Sequence, residues 1–156
     1  MEPVPLPPRD IHPETETTLA GTDTLAELHT RLEDTIAGFD KVVEKAEPEF
    51  RLIAVDFKAM HTRHAAAVAD MLVQDGHDPA QDGSVFGVVN RGLVEVRSWF
   101  DDIGINMMDA LVQGEKHVLD GYEQAIAATA LPERREALNM MREAQIALMD
   151  RHCPPA

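Results

Sequence analysis

The sequence has a single cysteine, few aromatic residues and no long uninterrupted apolar run. With one thiol, Cys153, the chain cannot form an internal disulfide, and its place in the short tail 153–156 predicts an exposed, inert group. Aromatic residues make up only 4% of the chain, whereas hydrophobic residues reach 44%. Because aromatic and β-branched residues favour strands, an apolar content carried by Ala, Leu, Val and Met favours helices.

Basic residues are also scarce, since 14 lysines and arginines stand against 28 aspartates and glutamates, and the net charge is −14. An excess of carboxylates repels phosphate, so we expect neither nucleic acid nor an anionic membrane surface as a partner. No segment is long and apolar enough to span a bilayer, and the N-terminus lacks the basic and apolar regions of a signal peptide. These features predict a cytoplasmic protein.

The 156 residues predict one folded domain behind a short leader. Residues 1–21 are rich in Pro, Thr and Glu and can bury little apolar surface, so we expect them to be disordered. Order should begin near Thr24, because Thr24-x-x-Glu27 has the pattern of a capping box. The folded domain then occupies residues 22–152 and ends in the tail 153–156.

Four amphipathic segments follow one another, each with apolar residues at three- and four-residue steps. Pro48 and Pro132 stand at favoured first-turn positions of the second and the fourth segment. The apolar stripe of the third segment loses phase near Gly104, which predicts a kink or a short break there. Since no segment alternates with period 2, the chain is all-α, and short connections predict an up-and-down four-helix bundle.

Several motifs of this sequence resemble those of a known family. They are the run from Gly76 to Ser84, Gly87, the pair Asn90-Arg91, Gly114-Glu115 followed by Tyr122, and Leu32-Glu33-Asp34 before Phe39. They are similar to motifs of an uncharacterised bacterial family of ferritin-like four-helix bundles, related in fold to ferritins and rubrerythrins. The resemblance covers roughly residues 25–151 and implies a ferritin-like bundle without an established activity.

Glu115 occupies a position where the helical pattern requires an apolar residue. The other members of its stripe are Met108, Leu111, Val118, Tyr122 and Ala125. A buried carboxylate without a partner is too costly to persist, so Glu115 must be protonated, paired, hydrogen-bonded or bound to a metal. His61 and His64 interrupt the apolar stripe of the second segment in the same way, and these three residues are the main indication of a functional site.

One interpretation of these residues is a metal site. A ferritin-type di-iron site needs a Glu from each of two helices and Glu-x-x-His from each of the other two, and this chain offers His61-x-x-His64 instead. A complete di-iron site is therefore not expected. His61, His64 and Glu115, with Glu33 on the flank of the first helix, could still hold a single iron or zinc ion.

The other interpretation is a structural polar network in the core. Buried polar groups normally find hydrogen-bond partners, so Glu115 would pair with His64, assisted by Gln145 and the hydroxyl of Tyr122. We favour this network over the metal site, because the set of metal ligands is incomplete.

The sequence contains no phosphate-binding glycine loop, nucleophile triad or zinc-finger spacing, so an enzyme is the less favoured class. We predict a non-catalytic protein that binds a protein partner or itself and needs no cofactor. Its contact region would consist of the apolar residues Trp99, Phe100, Met107 and Met140. The alternative is a protein that binds iron or zinc and has a redox or iron-handling role.

Overall fold

The computed structural model describes residues 13–81 and 104–154, and the side-chain surroundings of 21–80 and 104–154. These ranges contain four α-helices and no strand, which confirms the predicted all-α four-helix bundle. The helices are α1 (Pro13–Lys45), α2 (Pro48–Gln74), α3 (Met108–Ala128) and α4 (Pro132–His152), with 3₁₀ turns at Pro79–Gln81 and Ile105–Met107. None of the helices in the described part carries an apolar stretch of the length that a membrane span requires.

The first helix begins before the predicted cap. α1 starts at Pro13, so the predicted start near Thr24 is wrong, and the Thr24 hydroxyl donates to a backbone carbonyl three residues earlier within the helix. Proline suits the first turn of a helix, because its fixed φ matches the helix and its missing N–H has no partner there. Residues 13–21 of the predicted leader thus belong to α1, while residues 1–12 lie outside the described residues.

The predicted starts of α2 and α4 agree with the structure. Both helices have a proline in the first turn, Pro48 and Pro132. α2 ends where Asp75 and Gly76 donate backbone hydrogen bonds to carbonyls of its last turn. Gly76 has a φ of +76°, a conformation that glycine adopts without steric cost, and it turns the chain away from the helix axis.

Adjacent helices of the bundle are antiparallel, and α2 and α3 are parallel across its diagonal. α1 packs on both α2 and α3, and α4 packs on the same two helices. Gly104, just before α3, is adjacent to Glu47, just before α2, so both helices start at one end of the bundle. At the other end Gly21 approaches the carbonyl of Ala128, where a Cβ on Gly21 would stand 3.0 Å from that oxygen.

The connection between α2 and α3 therefore joins opposite ends of the bundle and is not the short turn of an up-and-down order. A short turn can join two consecutive helices only if they are antiparallel neighbours. This holds for α1 and α2 and for α3 and α4. The segment 82–103, with the predicted first half of the third helix, lies outside the described residues. The kink predicted near Gly104 depends on that segment and stays a prediction.

The apolar core consists of two clusters of buried residues. The upper cluster comprises Leu25, Leu28, Leu32, Ala65, Val68, Leu72, Val118, Tyr122, Ala125 and Leu138. The lower cluster comprises Phe39, Ala46, Phe50, Ala54, Phe57, Met60 and Leu111. Along α2, α3 and α4, one buried polar residue separates the two clusters: His61, Glu115 and Gln145. The polar side chains thus form a layer across the bundle between two apolar regions.

Cys153 is not the exposed tail residue that the sequence predicts. It follows α4 directly, is partly buried and packs against the lower cluster. Burial raises the pKa of its thiol, and the nearby charge of Glu115 acts in the same direction. A raised pKa reduces the fraction of reactive thiolate, which agrees with the prediction of an inert thiol.

Candidate functional site

The polar layer is centred on the Glu115 carboxylate. His61 Nε2 lies 3.0 Å from Glu115 Oε1 and 3.1 Å from Oε2. Gln145 Nε2 donates to Glu115 Oε2 at 2.7 Å and to the Glu115 backbone carbonyl at 2.9 Å. All three side chains are buried, with Glu115 only 1% exposed. Three helices are therefore joined by hydrogen bonds to a single carboxylate.

His61, and not the predicted His64, is the histidine that binds Glu115. The buried face of α2 runs through Phe57, His61, Ala65 and Val68, so the ring of His61 points directly into the core. His64 lies one residue before this face and is only partly buried. The two histidines are three residues apart, close enough for both to fit one broad apolar stripe in the sequence. The rotation of α2 about its axis decides between them.

His64 forms a separate pair with Tyr122. The Tyr122 hydroxyl lies 2.8 Å from His64 Nδ1, and the two rings meet edge to face. Burial raises the pKa of Tyr122, helped by the charge of Glu115, so the phenol stays protonated and donates to the imidazole nitrogen. Burial also lowers the pKa of His64 from 6.5 to about 4, with the neighbouring His61 and Arg63 acting in the same direction. At neutral pH His64 is an uncharged acceptor.

The lowered pKa of His64 predicts a loss of stability in acid. Above pH 6.5 the ring is neutral in the folded and unfolded states, so this group contributes no pH dependence. Between pH 6.5 and about 4 the unfolded chain binds a proton that the folded chain excludes, so the free energy of unfolding falls with pH. Urea unfolding at pH 7 and pH 4.5 should show a larger loss for the wild type than for His64→Gln. Equal losses in the two proteins would contradict this assignment.

The predicted metal ligands are not brought together. Glu33 is 40% exposed on the surface of α1 and lies 3.7 Å from His29 Nε2, one turn earlier on the same helix. His64 faces Tyr122, and only His61 and Glu115 contact each other. Among the described residues, no group of three His, Cys, Asp or Glu side chains is arranged to hold a metal ion.

The predicted contact region is described only in part. Met140 is 68% exposed on the outer side of α4, as a contact residue should be. Met107 is partly buried and packs against the lower cluster, so it contributes to the core. Trp99 and Phe100 lie outside the described residues.

Two atoms of the polar layer are buried without a hydrogen-bond partner in the described part of the chain. They are His61 Nδ1, on the side of the ring that faces away from Glu115, and Gln145 Oε1. Glu115 is also incompletely satisfied, because a carboxylate offers about four acceptor positions and receives one N–H from each neighbour. The layer is therefore held together but keeps acceptor capacity for a further donor.

An apolar cavity of about 210 Å³ lies beside Glu115, between α1 and α3. Its lining residues are Thr35, Gly38, Phe39, Val42, Phe50, Met107, Ala110, Leu111, Gly114 and Glu115. Glu115 is the single ionisable group among these described residues. Gly38 and Gly114 open the space, because a Cβ on either residue would meet no described atom within 4 Å. The sequence analysis did not predict this cavity. The feature of the sequence that indicates it is the presence of a glycine, Gly38 or Gly114, inside each of two amphipathic helices.

A family model matches most of the chain. The model of a domain of unknown function, DUF2383, matches residues 20–128, well over half of the 156-residue chain. No curated protein and no solved structure matches the chain. The matched range includes His61, Glu115 and the whole cavity lining, and it ends before Gln145.

Proposed function

The chain belongs to the DUF2383 family, whose domain has no known function, and we propose that it is a non-catalytic protein that binds a small molecule in the cavity beside Glu115. The observation that supports this proposal is an apolar cavity with one buried carboxylate in its wall. Ligand sites are commonly apolar concavities with a few polar groups that fix orientation, and they occur between the helices of bundles. The volume of about 210 Å³ is below the roughly 300–1,000 Å³ of drug-sized sites, so the ligand is small.

The geometry of the layer supports binding rather than catalysis. Acyl or phosphoryl transfer needs a nucleophile next to a base and donors for the charge that develops. Here His61 and Gln145 both donate to Glu115, so these groups fix one another in place. Tyr122 has a raised pKa and donates to His64, which makes it a poor nucleophile. Among the described residues, no nucleophile and base pair faces the cavity.

We also propose that the bundle is related in fold to ferritins. In ferritin-like bundles one long crossover joins two of the four helices, and the other connections are short. The parallel arrangement of α2 and α3 supports this relationship, because the 33 residues between Gln74 and Met108 connect opposite ends of the bundle. A simple up-and-down bundle would have these two helices antiparallel.

Filling the cavity tests the proposed function. Gly38→Leu places a side chain where a Cβ meets nothing within 4 Å, and leucine is the better helix former by about 1 kcal/mol, so the variant should fold. We expect calorimetry to show saturable binding of at least one six-carbon probe (hexan-1-ol, hexylamine or hexanoate) to the wild type. Gly38→Leu should lose this binding, whereas Ala127→Leu, at an exposed position of α3, should retain it. Binding that Gly38→Leu leaves unchanged, or no binding to the wild type, would refute the proposal.

Metal binding is the alternative function. His61 and Glu115 supply two adjacent ligand types in the core, and a third ligand would have to come from outside the described residues or from a rearranged His64. Purified protein that retains one iron or zinc ion per chain, and loses it in His61→Ala, would establish this function instead of the proposed one.

The exposed face of α2 favours a second copy of the chain as the protein partner. The outer face of α2 carries apolar or small residues at alternating three- and four-residue steps: Leu52, Val55, Ala59, Thr62, Ala66, Ala69 and Val73. Leu52, Val55 and Val73 are 71%, 43% and 63% exposed. Heptad spacing of this kind is typical of helices that pack side by side. α2 has three acidic and three basic residues, so it carries no net charge, although the whole chain has a net charge of −14. Two α2 helices can therefore approach each other without charge repulsion between them.

A further inference from the structure

The lining of the cavity beside Glu115 determines which ligand it can hold. His61 Nε2 donates a shared hydrogen bond to both carboxylate oxygens, while Nδ1 is buried without a partner. The carboxylate is the acceptor in these hydrogen bonds and, with about four acceptor positions, can accept from a further donor.

The described residues that line the cavity include no basic side chain. Within the polar layer, His61 contacts the Glu115 carboxylate and Gln145 donates a neutral amide N–H to it. On the facing helix α1, the Arg31 guanidinium donates to the backbone carbonyl of His117. The carboxylate thus has free acceptor positions in the wall of an apolar cavity, where a cationic donor can form a charge-assisted hydrogen bond.

From this we propose, resting on the proposed binding function, that the ligand is a small organic cation. It would be a protonated amine with a short apolar body, and its nitrogen would lie against Glu115. An ammonium group has up to three N–H donors and forms a charge-assisted hydrogen bond with a carboxylate. The methylene or aromatic body fits the apolar walls formed by Phe39, Val42 and Leu111. Anions are excluded by Glu115 and by the net charge of −14, which also raises the local concentration of cations.

A series of probes that differ only in the head group tests this inference. Hexylamine, hexan-1-ol and hexanoate share a six-carbon chain and carry a positive, a neutral and a negative head at pH 7. We expect calorimetry on the wild type to show hexylamine binding at least about tenfold more tightly than hexan-1-ol, because a charge-assisted hydrogen bond replaces a neutral one. Hexanoate should not bind. Glu115→Gln should abolish the preference for hexylamine over hexan-1-ol.

The outcomes separate this inference from the proposed function. If hexan-1-ol or hexanoate binds at least as tightly as hexylamine and Gly38→Leu abolishes binding, the cavity is a ligand site but its preference for a cation is refuted. If no probe binds to the folded wild type, both proposals fail. The wild-type series decides the question even if Glu115→Gln does not fold. The affinity of the wild type for hexylamine should also fall with added salt, because salt screens the attraction of the net charge of −14 for the cation. The affinity for hexan-1-ol should not change.

Discussion

Replacing Glu115 by leucine should destabilise the protein by about 3–5 kcal/mol, a large part of the 5–15 kcal/mol that holds a typical domain folded. The substitution introduces an apolar side chain of similar size and removes the carboxylate that accepts from His61 and Gln145. His61 Nε2 would then be buried without a partner, and Gln145 would keep only its hydrogen bond to the backbone carbonyl of residue 115. Each buried N–H left unpaired costs about 1–3 kcal/mol. Urea unfolding of Glu115→Leu against the wild type measures the loss.

Two comparisons show whether the loss comes from the unpaired donors. Glu123→Leu changes a 60% exposed carboxylate on the same helix and should alter the free energy of unfolding by no more than about 0.5 kcal/mol. The triple variant Glu115→Leu, His61→Leu, Gln145→Leu leaves no unpaired group, so it should regain about half or more of the stability lost by Glu115→Leu. A triple variant that is less stable than Glu115→Leu would show that the polar layer stabilises the fold in another way.

Charged residues on the outer face of α2 should dissociate the proposed dimer. Leu52 and Val73 lie near the two ends of this face and are both largely exposed in the single chain. Each would bury apolar surface in the dimer, worth about 1.5–3 kcal/mol for a fully buried side chain. The double variant Leu52→Glu, Val73→Glu should therefore weaken self-association at least about a hundredfold. Light scattering coupled to size-exclusion chromatography should show a dimeric wild type and a monomeric variant.

The control for the α2 face is Gln124→Glu, which adds the same charge at an exposed position of α3. It should leave the dimer intact. A wild type that is monomeric at all concentrations, or a dimer that survives both charged residues on α2, would contradict the proposed interface.

The sequence predicted the helices and the inward position of Glu115 because both depend on local periodicity. Glu115 replaces an apolar residue in its stripe, and the structure places it in the core beside Gln145 as the pattern implies. The choice between His61 and His64 was wrong because it depends on the rotation of α2, which is set by its packing against α1 and α4. The same error led to the prediction that the Tyr122 hydroxyl assists Glu115, whereas it lies against His64 in the structure.

The cavity and the order of the helices could not be predicted, because neither is a property of one segment. Gly38 and Gly114 are nearly eighty residues apart in the sequence, and only the antiparallel packing of α1 and α3 places both beside the same space. The parallel arrangement of α2 and α3 depends likewise on contacts such as that between Glu47 and Gly104. The early start of α1 was missed because its first turns carry few apolar residues and follow a proline.

The most direct test of the proposed site is a crystal structure of the wild-type protein grown with hexylamine. We expect the alkyl chain to lie between Phe39 and Leu111, with its nitrogen about 2.7–3.2 Å from a Glu115 carboxylate oxygen. An empty cavity at saturating hexylamine, or an amine bound elsewhere on the protein, would contradict a ligand site at Glu115.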